Sequence, residues 1–134
     1  MGSVSRGMAR LVAVSAVAGL ALLASGAAGS RIAATGCPRA ALPVSGMNPI
    51  GTAITAALRR VPTGDKPQVQ GALMAIADRN RGPQVGTQCG RQVRARMIVV
   101  YVLRRAYLPA QSASSGVYFV SRFATGYRVW QVAH

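Results

Sequence analysis

Arginine is the one chemically assertive side chain that this sequence carries in quantity. Sixteen residues are Lys or Arg, of which Lys66 alone is lysine, against two acids, Asp65 and Asp78. Guanidinium groups present a rigid fork of donors that fits phosphate and carboxylate, and they stay charged at any physiological pH. Arg91, Arg94 and Arg96 precede the longest β-rich run, Arg104 and Arg105 follow it, and Arg122 and Arg128 flank a C-terminal turn. Strand alternation puts Arg94, Arg96 and Arg104 on one face and Arg122 and Arg128 on opposite faces. These seven are the candidate anion-binding residues. Tyr101, Tyr107, Tyr118, Phe119, Tyr127 and Trp130 lie among them, as stacking groups do in single-strand nucleic-acid binders. In alternating strands the same aromatics build a core, and that is the role expected of them. Nucleic acid is therefore the weaker partner.

Groups for other chemistry are scarce. General acid–base work calls for a histidine or a carboxylate pair, and the chain offers only Asp65, Asp78 and His134. Asp65 sits in a turn between prolines. Asp78 adjoins Arg79 and is read as pairing with an arginine. His134 is the last residue, where fraying is the default. No Ser-His-Asp set or carboxylate dyad can be assembled. The scattered His, Cys and Asp show no metal-ligand spacing, and residues 82–90 lack the Gly-Lys-Ser/Thr of a phosphate loop. The expectation is a protein with no catalytic residues, no metal and no cofactor. Were it an enzyme, Asp78 would be the base.

Cys37 and Cys89 take their meaning from the N-terminus. Arg6 and Arg10 precede an uncharged run over 11–30, rich in Ala, Val and Leu, and small residues crowd 25–30. That is the layout of a secretory signal, assigned to 1–29 with cleavage between Ala27 and Ser30. The other reading of the run is an uncleaved anchor. Ala34-Thr35-Gly36-Cys37 has the outline of a lipidation box, but Arg31 interrupts the approach to it. In an oxidising compartment an even cysteine count favours a disulfide. Joining Cys37 to Cys89 closes a loop of about 53 residues, worth roughly 4 kcal/mol in the chain-entropy treatment.

The formal charge of the whole chain is +14; without the signal it is about +12 by the same count. Such a surface attracts polyanions. The expected partner is an anionic envelope polymer or an acidic protein, met in a secreted or cell-surface setting. Membrane contact is expected only through an uncleaved signal. The plainer reading of the charge is coding bias plus solubility.

The elements follow from periodicity. Residues 30–46 form an extended lead-in punctuated by Pro38, Pro43 and Gly46, and 47–134 form a single domain. Asn48 and Pro49 open a helix in which Ile50, Ala53, Ile54, Ala57, Leu58 and Val61 share a face; Arg59 and Arg60 fall in its last turn and Pro62 stops it. A second helical pattern spans 67–79 through Val69, Ala72, Leu73 and Ile76. Residues 81–90 read as surface loop. A strand follows over 93–105, apolar on both faces at its centre, so something must cover each side. Strands at 117–123 and 127–133 make a hairpin around Ala124-Thr125-Gly126. The tight-turn register sets Phe123 opposite Arg128 and Ser121 opposite Trp130, with Tyr118, Val120, Val129 and Gln131 on the other side. The expected class is α+β: two helices on one face of a curved antiparallel sheet of three or more strands.

The C-terminal run from Gly116 to His134, with Gly126-Tyr127-Arg128-Val129 at its turn, resembles the closing hairpin of NTF2-like α+β domains and of cystatin-like domains in small secreted bacterial proteins. The resemblance covers about twenty residues, or forty with the preceding strand. It implies a helix-backed curved sheet with room for a pocket. NTF2-like enzymes carry acids and histidines inside their cone, which this chain scarcely has. The leading expectation is non-catalytic binding at the envelope or outside the cell. The alternatives are an NTF2-like small-molecule pocket protein or enzyme, and a cationic antimicrobial protein.

Overall fold

The computed structural model describes residues 36–134; the expected signal over 1–29 and the start of the lead-in lie outside the described residues. The element order is α1 (Pro49–Leu58), β1 (Pro67–Met74), α2 (Gly82–Cys89), α3 (Arg91–Ala95), β2 (Met97–Arg104), β3 (Ser115–Phe123) and β4 (Gly126–Ala133). The strands form one antiparallel meander in the order β1-β2-β3-β4. This is an α+β architecture.

The apolar run of β2 organises everything else. Ile98, Val100 and Val102 point to one face, where they meet Tyr118 and Val120 of β3 and the small residues Ala53 and Ala57 of α1. Met97 and Val99 point to the other, where Val117, Phe119, Val85 of α2 and Ala75 close over them. Both faces of the strand are thus out of water, as an uninterrupted apolar run requires. The helices do not share a face as expected: α1 takes one, and α2 with α3 takes the other.

Three segments differ from the sequence expectation in kind. Residues 67–79 hold a strand and a turn rather than a helix. β1 pairs along the free edge of β2, from Pro67 opposite Arg104 to Met74 opposite Ile98. The spacing of Val69, Ala72 and Leu73 suits a helix, but an apolar central strand needs a partner on both edges, and tertiary pairing outweighs local propensity. Gly71 also weakens the helical option. Residues 82–89, read as loop, form α2. Pro83 sits in its first turn, where proline's missing N–H costs nothing. Residues 93–95, read as the start of a strand, belong to α3 (Arg91–Ala95).

The hairpin register is tighter than expected. Phe123 pairs with Gly126, and Ser121 with Arg128. Gly126 holds φ +115°, a conformation glycine adopts without strain. A β-bulge between Phe119 and Val120 then sets Phe119 opposite Gln131, so Trp130 can join Phe119 in the core beneath α2. α1 matches its expected start. Asn48 accepts a hydrogen bond from the Gly51 amide at 3.0 Å, with Pro49 in the first turn. Arg59 is the C-cap rather than part of the last turn.

The lead-in is tied down at several points. Cys37 and Cys89 form a disulfide with Cα atoms 5.4 Å apart, pinning the lead-in to the end of α2. The Leu42 amide donates to the Arg122 carbonyl at 2.7 Å. The Tyr127 hydroxyl donates to the Ser45 carbonyl at 2.7 Å.

Candidate functional site

The arginines separate into two populations by what their guanidinium groups touch. Arg94 rises from α3 and donates from Nε to the Ala75 carbonyl and from Nη2 to the Ile76 carbonyl, each at 3.2 Å. Gly82 and Gly86, one turn apart on α2, make room for its stem: a Cβ at either would press on Arg94 at 3.2 Å. Arg96 donates to the Ala41 carbonyl at 3.0 Å. Arg122 donates to the Pro43 carbonyl at 3.1 Å. Arg81 reaches the Gln84 side chain at 3.3 Å.

Arg104 donates from Nη2 to the Tyr118 hydroxyl at 3.2 Å. Its Nε lies 3.7 Å from Asp65 Oδ2, close enough for attraction but too long for a hydrogen bond. The bond to Tyr118 comes first among the causes that hold this guanidinium above its already high pKa. Burial opposes it, and Asp65 adds a lesser attraction. All five of these arginines are half-buried. With two carboxylates in the chain, backbone carbonyls do most of the work of fixing guanidinium groups.

The second population is exposed: Arg39, Arg59, Arg60, Lys66, Arg79, Arg91, Arg105 and Arg128. Arg128 lies over the Phe123 ring at 4.5 Å. Lys66 and Arg105 are brought together by the β1–β2 ladder, since the Arg105 amide donates to the Lys66 carbonyl at 3.3 Å. Arg59 and Arg60 close α1, from which a short link leads to Lys66. So of the seven candidates, Arg91, Arg105 and Arg128 offer their charge to solvent, while Arg94, Arg96, Arg104 and Arg122 already hold protein acceptors. The seven do not form one face. Lys66 joins Arg105 at the Pro67–Arg104 end of the β1–β2 ladder, and Arg59 and Arg60, just past α1, are further exposed cations that strand alternation could not reach.

Both acids are committed within the fold. Asp65 faces Arg104. Asp78 lies in the turn after β1, not in a helix, and is 3 % exposed. Its Oδ1 accepts from the amides of Asn80 at 2.8 Å and Arg81 at 3.2 Å. Its Oδ2 accepts from the Tyr101 hydroxyl at 2.7 Å. Asp78 therefore pairs with backbone amides and a phenol, not with Arg79, which is exposed. This carboxylate ties the loop that launches α2 to the centre of the sheet. Burial, then the bond to Asp78, pushes the Tyr101 phenol well above its usual 10, so it remains a neutral donor.

Beside this corner lies a cleft of about 320 Å³, lined by Arg81, Asn80, Tyr101, Leu103, Ser115 and Val117 among others. Gln70, Asn80, Arg81 and Ser115 contribute polar groups to it, and Leu103 and Val117 apolar ones. Asp78 stands behind Tyr101 and does not line it. A shallower groove of about 580 Å³ runs between α1 and the β3–β4 turn, with Arg59 at its edge. Among the described residues no three His, Cys, Asp or Glu side chains gather in a way that could hold a metal ion. No helix of the described residues is long and apolar enough to cross a membrane. No family model, curated protein or solved structure matches the chain.

Proposed function

We propose that this is an exported basic protein that binds anionic polymer at the cell envelope or outside the cell, without catalysing a reaction. One observation carries the reading. Both acids are engaged inside the fold, so neither carboxylate side chain stands at the surface as a direct partner for the exposed cations. The net positive field of the molecule therefore meets solvent through these cations and is screened by salt. The Cys37–Cys89 bridge fits an oxidising compartment, and the basic, apolar and small-residue succession over 1–29 supplies the route there. Burial shifts the weight of binding from Arg94, Arg96 and Arg104 to the exposed Arg59, Arg60 and Arg105.

The test is titration against polyphosphate, a soluble linear polyanion, at low and physiological salt. Affinity should fall steeply between the two as bound counterions are exchanged. Neutralising Arg59, Arg60 and Arg105 together should weaken binding and flatten the salt dependence.

The cleft at Arg81 favours a second reading, in which a small anion with an apolar body sits against Leu103 and Val117. Binding there would depend on Arg81 and hardly on salt, and would survive loss of the exposed arginines.

A further inference from the structure

Among the described residues, the loop joining β2 to β3 sets two exposed large apolar residues, Tyr107 and Leu108, side by side next to cations. Ala106, Tyr107, Leu108, Pro109 and Ala110 are five consecutive uncharged residues, all exposed, and Leu108 is 70 % exposed. An isolated exposed leucine needs no explanation, but this one is held out by a built loop. The Tyr107 amide donates to the Arg104 carbonyl at 3.2 Å, and the Gln111 amide to the Leu108 carbonyl at 2.9 Å. The Gln111 side chain accepts from the Leu108 amide at 2.9 Å. The Ser114 hydroxyl donates to the Pro109 carbonyl at 3.2 Å. These bonds fix the loop tip without burying it.

Cations stand at the base of the loop. Arg105 precedes the apolar run, Lys66 is bonded to it through the backbone, and Asp65 O receives the Ala106 amide at 3.1 Å. The Arg104 guanidinium lies 5.9 Å from the centre of the Tyr107 ring. The one acid in this region, Asp65, already faces Arg104.

From this arrangement we infer that the β2–β3 loop is a docking tip for an anionic phospholipid bilayer, with Leu108 entering the headgroup–acyl boundary while Lys66 and Arg105 meet lipid phosphates. The inference rests on the polyanion reading above and names its surface. The chemistry of the two parts is complementary to that surface and to little else. A soluble polyanion satisfies the cations but offers nothing to Leu108, and an apolar groove satisfies Leu108 but not the cations. Tyrosine is at home at the level of the headgroups, and cations near an anionic bilayer each contribute attraction that falls off within a Debye length. Membrane contact then needs no uncleaved signal.

The experiment measures binding of the protein, with its disulfide closed, to three probes: phosphatidylglycerol-containing vesicles, pure phosphatidylcholine vesicles, and polyphosphate. Wild type should bind the anionic vesicles well above the zwitterionic ones. Leu108→Ser, at a side chain that lies mostly in solvent, should weaken anionic-vesicle binding by about tenfold and leave polyphosphate binding unchanged. Lys66→Gln with Arg105→Gln should weaken both. In Leu108→Trp, anionic vesicles should shift the emission to the blue relative to wild type, a change that adsorption by charge alone would not cause. The inference is overturned, and the polyanion reading kept, if polyphosphate binds but anionic vesicles do not. Equal vesicle binding by Leu108→Ser and wild type has the same consequence. Absence of binding to all three probes overturns both.

Discussion

Asp78 and Tyr101 sit 23 positions apart and meet at 2.7 Å. The carboxylate accepts three hydrogen bonds, two from backbone amides and one from the phenol, and that satisfaction is what lets it be buried. Tyr101→Phe removes one donor and leaves Oδ2 without it. The expected cost is about 1–3 kcal/mol, read from denaturant unfolding. The phenol also gives stability a pH signature. Its folded pKa is raised above the unfolded value of 10, so the folded state holds the proton longer than the unfolded chain does. That contribution is fully present below about pH 10 and is lost as pH rises toward the folded value. Unfolding midpoints across the alkaline range should therefore fall in wild type and fall less in Tyr101→Phe. Equal slopes would remove Tyr101 as the cause. None of this was visible in the sequence. Asp78 followed by Arg79 suggests an ion pair, and only the turn after β1 shows that the carboxylate faces inward instead.

At the scale of elements, α1 and the disulfide were legible and the segment between them was not. Asn48-Pro49 is a local signal, complete within a few residues, and local signals survive folding. Cys37 and Cys89 could be paired because there are no others to choose from. Replacing either cysteine should destabilise by about 2–5 kcal/mol, measured by thermal or denaturant unfolding. β1 was misread because its periodicity fits both a helix and an edge strand. The decision lies with β2, thirty residues on, whose edge must be paired. α2 was misread because Gly82 and Gly86 looked like loop composition. Their smallness serves packing: Gly82 rests on the Ala75 carbonyl, and both glycines clear the stem of Arg94. Gly82→Ala would drive its Cβ into that backbone carbonyl and should destabilise by about 1–3 kcal/mol or more. Unchanged stability in this variant would contradict the close seating of α2 on the end of β1.

At the scale of the whole molecule, the excess of arginine was plain from composition, but its division of labour was not. Alternation correctly separated Arg122 from Arg128. It could not show that Arg94, Arg96 and Arg122 are fixed by carbonyls of distant segments. Those arginines are held by the fold, and the exposed ones are those that the proposed polyanion binding would use. Export is a separate expectation: the mature chain recovered from medium or envelope should begin after a residue between Ala27 and Ser30, by intact mass. The central claim is that exposed, unopposed cations bind polyanions, and titration with polyphosphate at two salt concentrations tests it most directly. The account requires affinity that drops steeply from low to physiological salt, and a shallower drop once Arg59, Arg60 and Arg105 are neutralised together. Absence of binding at either salt, or binding indifferent to both salt and these three residues, would contradict it.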